Sequence, residues 1–222
     1  RTPSIFLSFF LSFKFSDNKP PEQFLNPYEY VGIEHNRIIE KILPSISNGT
    51  RSREEALNEI VRLFEEKYSS NVTKERQYGT GNPYDLLNYY NSVEIVSLLV
   101  YQTVSDDIEN LKGKTFFEIS EYVNNQQQYL ANLLNSEEQK QYYSFLAVVK
   151  YSARLWLTED YGGLNYIKYF NPEWGNGELN LRGNCFNEWK ALLCDGIGAI
   201  AGGPTTAGAA TLISIVNQWD CK

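Results

Sequence analysis

The chain has 222 residues, a hydrophobic fraction of 42%, an aromatic fraction of 14% and a formal net charge of −7. A chain of this length buries about 70% of its unfolded surface, so its core needs neither metal nor disulfide, and its apolar content excludes a disordered protein. Basic residues such as Lys74, Arg76, Lys140 and Lys150 are interleaved with acids and form no run. Nucleic acid and anionic membrane surfaces both require a basic face, so neither is expected as a partner.

The apolar run Ile5–Phe13 (IFLSFFLSF) is followed by the polar, Pro-rich SDNKPPEQ at 16–23. The run has the length of a signal-peptide core and is too short to span a bilayer as a helix. Residues 1–23 are expected to be an export-signal remnant or tether, with a buried first strand as the alternative. No methionine occurs, even at position 1, so a processed chain or a piece of a longer one is expected. The expected location is the cell envelope or the extracellular medium.

The stretch NPYEYVGIEHN occupies residues 26–36. Asn26 suits a helix N-cap, Pro27 suits the first helical position, and Glu29 faces the free N–H groups of the first turn. NPYD at Asn82 and NPEW at Asn171 repeat the device. Ser52 and Glu55 form a capping box before apolar residues at Ala56, Leu57, Ile60, Val61, Phe64 and Tyr68, which share one helical face. Ser92–Leu111 reads as a central helix. Thr115 with Glu118 and Ser136 with Gln139 open two more helices. The second of these carries a stripe at Tyr142, Phe145, Leu146, Val149, Ala153 and Trp156. Breaks are expected at PSISNGT (44–50), YGTGNP, LKGK and YGGLN, each rich in Gly, Pro or Asn. Tyr169–Asn184 is the longest irregular stretch.

From Gly196 to Trp219 there is no charged residue, and small residues crowd the segment. Gly198 with Gly202, and Ala199 with Gly203, have the spacing by which helices approach closely. Gly208 lies on the second half. Three readings remain open. The first is a tight helical hairpin turning near GGPTT, closed at its base by a Cys194–Cys221 disulfide. The second is a membrane-inserting segment over 196–216. The third is a phosphate-cradling loop, although GIGAIAGG departs from the dinucleotide fingerprint and has no lysine. No cofactor is expected. With one histidine and no CxxC pattern, no metal is expected either.

His35 is the only histidine. A packed or capping histidine bonded to a carboxylate or carbonyl is the leading reading. A thiol dyad would need a free late cysteine, with Asn36 or Asp195 orienting the ring. Glu34 and Glu40 could offer metal ligands, but His35 and Glu40 lie about 140° apart around a helix. The candidate binding residues are His35, Asn36, Glu34 and Trp174, the last standing in a Gly/Asn loop where it would stack on sugar or anchor its own loop. Asp106 and Asp107, like Glu159 and Asp160, are expected to be solvated acids.

With NPYEYVGIEHN, KYSARLWL (150–157) and the small-residue tail, the chain resembles a group of exported proteins and lipoproteins of Bacteroidota-type bacteria. These open with Asn-Pro-Tyr/Phe, Val-Gly and His-Asn, run as helices and end in a Gly/Ala-rich segment. The resemblance implies export and carries no activity. The group's lipid-anchoring cysteine has no counterpart near Ser16. The expected fold is an all-α, single-domain helical bundle over 24–168, with an irregular loop and a small-residue hairpin over 169–222. The expected function is that of an exported, non-enzymatic binding protein with an envelope protein or ligand as partner. A membrane-active hairpin, or a lost lipid anchor, is the second reading. A hydrolase using His35 is the third.

Overall fold

The computed structural model describes residues 26–49, 52–70, 72, 73, 77, 82–130, 132–158 and 187–218. Among them are seven α-helices and no strand. These are α1 (Glu29–Gly49), α2 (Arg53–Tyr68), α3 (Pro83–Ser92), α4 (Leu98–Leu111), α5 (Phe116–Leu130), α6 (Ser136–Leu157) and α7 (Glu188–Asn217). The fold is the all-α helical bundle read from the sequence. The export segment 1–23, the irregular stretch 169–184, Trp174 and the NPEW motif lie outside the described residues.

Capping chemistry sets most helix starts. Asn26 accepts from the Tyr28 amide through its side chain at 2.8 Å and from the Glu29 amide through its carbonyl at 3.1 Å. Its amide nitrogen donates to the Tyr143 carbonyl at 2.9 Å, so the start of α1 is also tied to α6. Asn82 caps α3 in the same manner, with Pro83 at the first turn. Ser52 and Glu55 form the expected box, and Thr115 and Glu118 exchange the same pair of bonds.

Three sequence expectations need correction. The α6 cap is Asn135 with Glu138, one residue earlier than expected, because the Asn135 carboxamide accepts from two amides at once. The stretch 92–111 is not one helix: Ser92 ends α3, 93–97 turn, and α4 begins at Leu98. Glu94 adopts a left-handed φ of 57°, and Ser97 then caps α4 by accepting from the Val100 amide at 3.2 Å. The break expected at PSISNGT falls at its far end, since α1 runs through Pro44 to Gly49. A proline there removes one backbone hydrogen bond, and the buried Ile38, Ile39, Ile42 and Leu43 hold the helix in place.

Helix α7 is a hairpin and lies at the centre of the bundle, against α1, α2, α3 and α6. It is interrupted at Gly202 (φ −147°, ψ 18°) and Gly203 (φ 65°, ψ −145°), with Pro204 following. The two arms, 188–201 and 204–217, lie side by side. A Cβ on Gly198 would stand 2.8 Å from the Ala207 Cα and 2.8 Å from the Ala210 Cβ. At the open end the Asn187 amide donates to Gln218 Oε1 at 2.7 Å, across 31 residues of sequence. A continuous helix of that length would hold these groups roughly 45 Å apart.

Other glycines admit other helices. A Cβ added at Gly196 would stand 2.6 and 2.8 Å from Val149 and Phe145 of α6, and one at Gly208 2.7 Å from Ile38 of α1. A Cβ added at Gly32 on α1 would stand 2.6 Å from both the Ala147 carbonyl oxygen and the Tyr151 ring of α6. By length and composition α7 is the one described helix that could cross a membrane. Each of its arms is about 14 residues, or roughly 21 Å, against a hydrocarbon core of about 30 Å. Residues 196–200 and 207–216 are buried inside the bundle, and Ala201 and Gly202 at the turn are exposed.

Replacing Gly198 with valine is expected to destabilise the fold by about 2–3 kcal/mol through overpacking between the arms. Gly203→Ala is expected to cost about 1–3 kcal/mol, because its φ and ψ suit glycine alone. Urea unfolding monitored by circular dichroism measures both. Losses below about 0.5 kcal/mol at both sites would show that the arms do not meet as described.

Candidate functional site

A cluster of polar side chains lies buried where α1, α6 and both arms of α7 converge. His35 sits about two turns into α1 and has no solvent exposure. Its Nδ1 lies 2.8 Å from Asn36 Oδ1, and its Nε2 lies 2.8 Å from Thr211 Oγ1 on the second arm of α7. Asn36 donates from Nδ2 to the Tyr151 carbonyl of α6 at 3.1 Å, which turns its oxygen toward the ring. The oxygen can only accept, so Nδ1 carries a proton. The Thr211 hydroxyl has one hydrogen to share between His35 Nε2 and the Ala207 carbonyl, 3.0 Å away.

Asp195, on the first arm of α7, completes the cluster. Its Oδ2 lies 3.7 Å from His35 Nε2 and accepts from the Trp156 indole at 3.1 Å. The Ser152 hydroxyl donates to the same oxygen. Asp195 Oδ1 has no hydrogen-bond partner among the described residues. Burial shifts both ionisable groups toward their neutral forms. It lowers His35 to about 4, against a smaller upward pull from the Asn36 hydrogen bond. It raises Asp195 to about 7, against the Ser152, Thr211 and Trp156 hydrogen bonds.

The sequence candidates separate in the structure. His35 and Asn36 form one unit. Glu34, one residue away, is half-buried and accepts from Arg37 at 3.1 Å. Trp174 lies outside the described residues. Cys194 carries a buried thiol that is free among the described residues; Cys221, its expected bridge partner, lies outside them. Burial pushes that thiol up to about 12, with Ser214 beside it. It therefore stays protonated and cannot serve as the nucleophile of a thiol dyad. Sequence reasoning missed Ser152, Trp156 and Thr211, and it considered Asp195 only as a partner for a dyad.

Thr211, His35 and Asn36 stand in the order hydroxyl, imidazole, orienting amide, which can activate a nucleophile. Here all three are buried, Asn36 at 2% exposure and the other two at 0%. No substrate atom can reach the hydroxyl in this state. The arrangement therefore works as a clasp between helices. Among the described residues no group of three or more His, Cys, Asp or Glu side chains is placed to hold a metal.

A second buried acid corrects another expectation. Asp107 is 2% exposed rather than solvated. Tyr122 of α5 and Tyr142 of α6 donate their hydroxyls to its two oxygens at 2.5 and 2.7 Å, which ties α4 to both helices. Burial raises its carboxyl to about 6, against those two hydrogen bonds. Near the start of α1, Lys150 pairs with Glu29 at 2.7 Å in a half-buried position.

No protein-family model, no curated protein and no solved structure matches this chain.

The raised Asp107 carboxyl has a consequence for stability. Its stabilising contribution is full below about 3.8, where both states are protonated, and is lost as pH rises through about 6 in the fold. The wild-type protein is expected to be more stable at pH 5 than at pH 8, by about 1–2 kcal/mol. Asp107→Asn should flatten that difference. Guanidinium midpoints at the two pH values test this, and an unchanged difference in the variant would remove Asp107 as its source.

Proposed function

We propose that this chain is an exported, non-enzymatic binding protein. Its contact face lies where the N-terminal ends of α4 and α6 meet. Export is supported by the apolar run at 5–13 and the polar segment after it. The binding face is supported by one structural observation, a group of exposed apolar side chains at that end. Val93, Ile95, Leu98, Leu99 and Leu133 are all exposed, Leu98 at 63% and Leu133 at 59%. Two hydrogen bonds place these segments together. Ser97 donates to Glu138 Oε1 at 2.7 Å, and Gln141 donates to the Ile95 carbonyl at 2.8 Å.

Single exposed apolar residues are ordinary, whereas a group of them rimmed by polar residues marks a contact face. The rim here is acidic. Glu94 and Glu137 are exposed and Glu138 is half-buried, and the nearby Lys140 pairs with Glu137 at 3.8 Å. The complementary partner is a protein segment that presents apolar side chains flanked by Lys or Arg. The clasp around His35 takes no part in this contact, since it has no exposed atom to offer.

A synthetic amphipathic helix of Leu and Lys serves as the probe, and a Leu/Glu peptide of the same pattern serves as the control. Amide shifts are expected over 93–99 and at Leu133 with the Lys peptide only. Leu98→Asp with Leu99→Asp should weaken binding by at least about tenfold. Equal binding by the double variant, or by the Glu peptide, would defeat the reading. So would an unbound peptide together with partition onto neutral phosphatidylcholine vesicles, because the partner would then be a membrane.

A further inference from the structure

We propose that His35 and Asp195 form a proton-compensated clasp, whose opposite responses to acid hold the C-terminal hairpin against α1 and α6 equally across mildly acid and neutral pH. The geometry limits where protons can sit. Asn36 fixes one on Nδ1, so Nε2 is the only ring atom that can gain charge. That atom faces Thr211 Oγ1 at 2.8 Å and Asp195 Oδ2 at 3.7 Å. On the carboxyl, Oδ2 is occupied as an acceptor by Ser152 and Trp156. Oδ1 has no donor aimed at it among the described residues, so it is the oxygen that takes a proton.

In the folded state, between about 4 and about 7, Asp195 is protonated and His35 is neutral. In the unfolded chain, between about 3.9 and 6.5, the carboxyl is ionised and the imidazole is charged. Each state thus holds one titratable proton on the pair. Unfolding moves it from the Asp195 carboxyl to His35 Nε2, with no net exchange with solvent. Asp195 alone would weaken the fold as pH rises through about 7, and His35 alone would weaken it as pH falls through about 4. Together they cancel where their windows overlap.

Few other ionisable groups surround the ring. On α1, Glu34 pairs with Arg37 at the surface. On α6, Lys150 pairs with Glu29, and the Tyr151 phenol is raised by burial and by that same glutamate. On α7, Cys194 stays protonated. From α2, the Tyr68 phenol is raised by burial and then by Glu34. His35 and Asp195 are the two fully buried ionisable groups that face each other here, so the compensation belongs to the pair.

The test is urea unfolding of wild type, Asp195→Asn and His35→Gln from pH 4.5 to 7.5, with each variant expressed relative to wild type at the same pH. As pH falls below 6.5, the folding equilibrium constant of Asp195→Asn should drop by up to about tenfold per pH unit. That of His35→Gln should rise by a similar factor. Parallel profiles for the two variants, or slopes of the same sign, would overturn the proposal. Should a variant fail to fold, the wild type suffices. Its one histidine gives one imidazole Hε1 resonance. That signal should stay neutral down to about pH 4, whereas titration near the ordinary value of about 6.5 would mean a buried ion pair and refute compensation.

Discussion

The chain reversal at Gly202–Gly203 is the constraint on which the other packing rests. A 30-residue apolar helix is too long to bury inside a domain of this size unless it folds back. The backbone at Gly203 turns through a conformation open to glycine. The two arms then come so close that Gly198 has no space for a side chain. That spacing lets α6 seat Phe145 against Gly196 and α1 seat Ile38 against Gly208. It also brings Asp195 on one arm and Thr211 on the other to the same imidazole. The polar cluster is thus a product of the hairpin geometry.

The cluster supplies what small residues cannot. An interface of Gly and Ala is smooth, and neighbouring registers differ little in apolar area buried. A hydrogen bond between His35 and Thr211, with Asp195 held by Ser152 and Trp156, is satisfied in one register alone. Any slip of α7 along α1 strands buried polar groups, at about 1–3 kcal/mol for each. Such groups often contribute little net stability, and their use is to reject alternatives. Asp107 between Tyr122 and Tyr142 does the same for α4, α5 and α6.

Local rules made much of this readable. Capping at Asn26, Ser52, Asn82 and Thr115 follows from side chains within three residues of the helix start. The α6 stripe from Tyr142 to Trp156 follows from period alone, and all six of its residues are buried. The hairpin was legible because Gly, Gly and Pro in a row cannot continue a helix. Misreadings arose where tertiary contacts outweighed local pattern. Residues 92–111 contain no Gly or Pro, yet Ser97 stops the helix by capping α4 and bonding Glu138. Asp107 looked solvated beside Asp106 because its two tyrosine partners come from other helices. Asp195 stands 160 positions from His35, and no spacing rule connects them. The one available hint was that Asp195 is the last acid before a long uncharged run, where an unpaired carboxyl has little reason to persist.

The hairpin is both the centre of the bundle and the last of the described elements in chain order. Thr211 meets His35 across 176 residues of sequence. Until α7 arrives, α1, α2, α3 and α6 expose the faces that it will cover, and α2, α3 and α6 lack their main packing partner. A chain passing N-terminus first through a narrow channel would therefore leave those faces uncovered until α7 emerged. The order of the elements along the chain sets when folding can begin, as much as the final contacts set what the fold is.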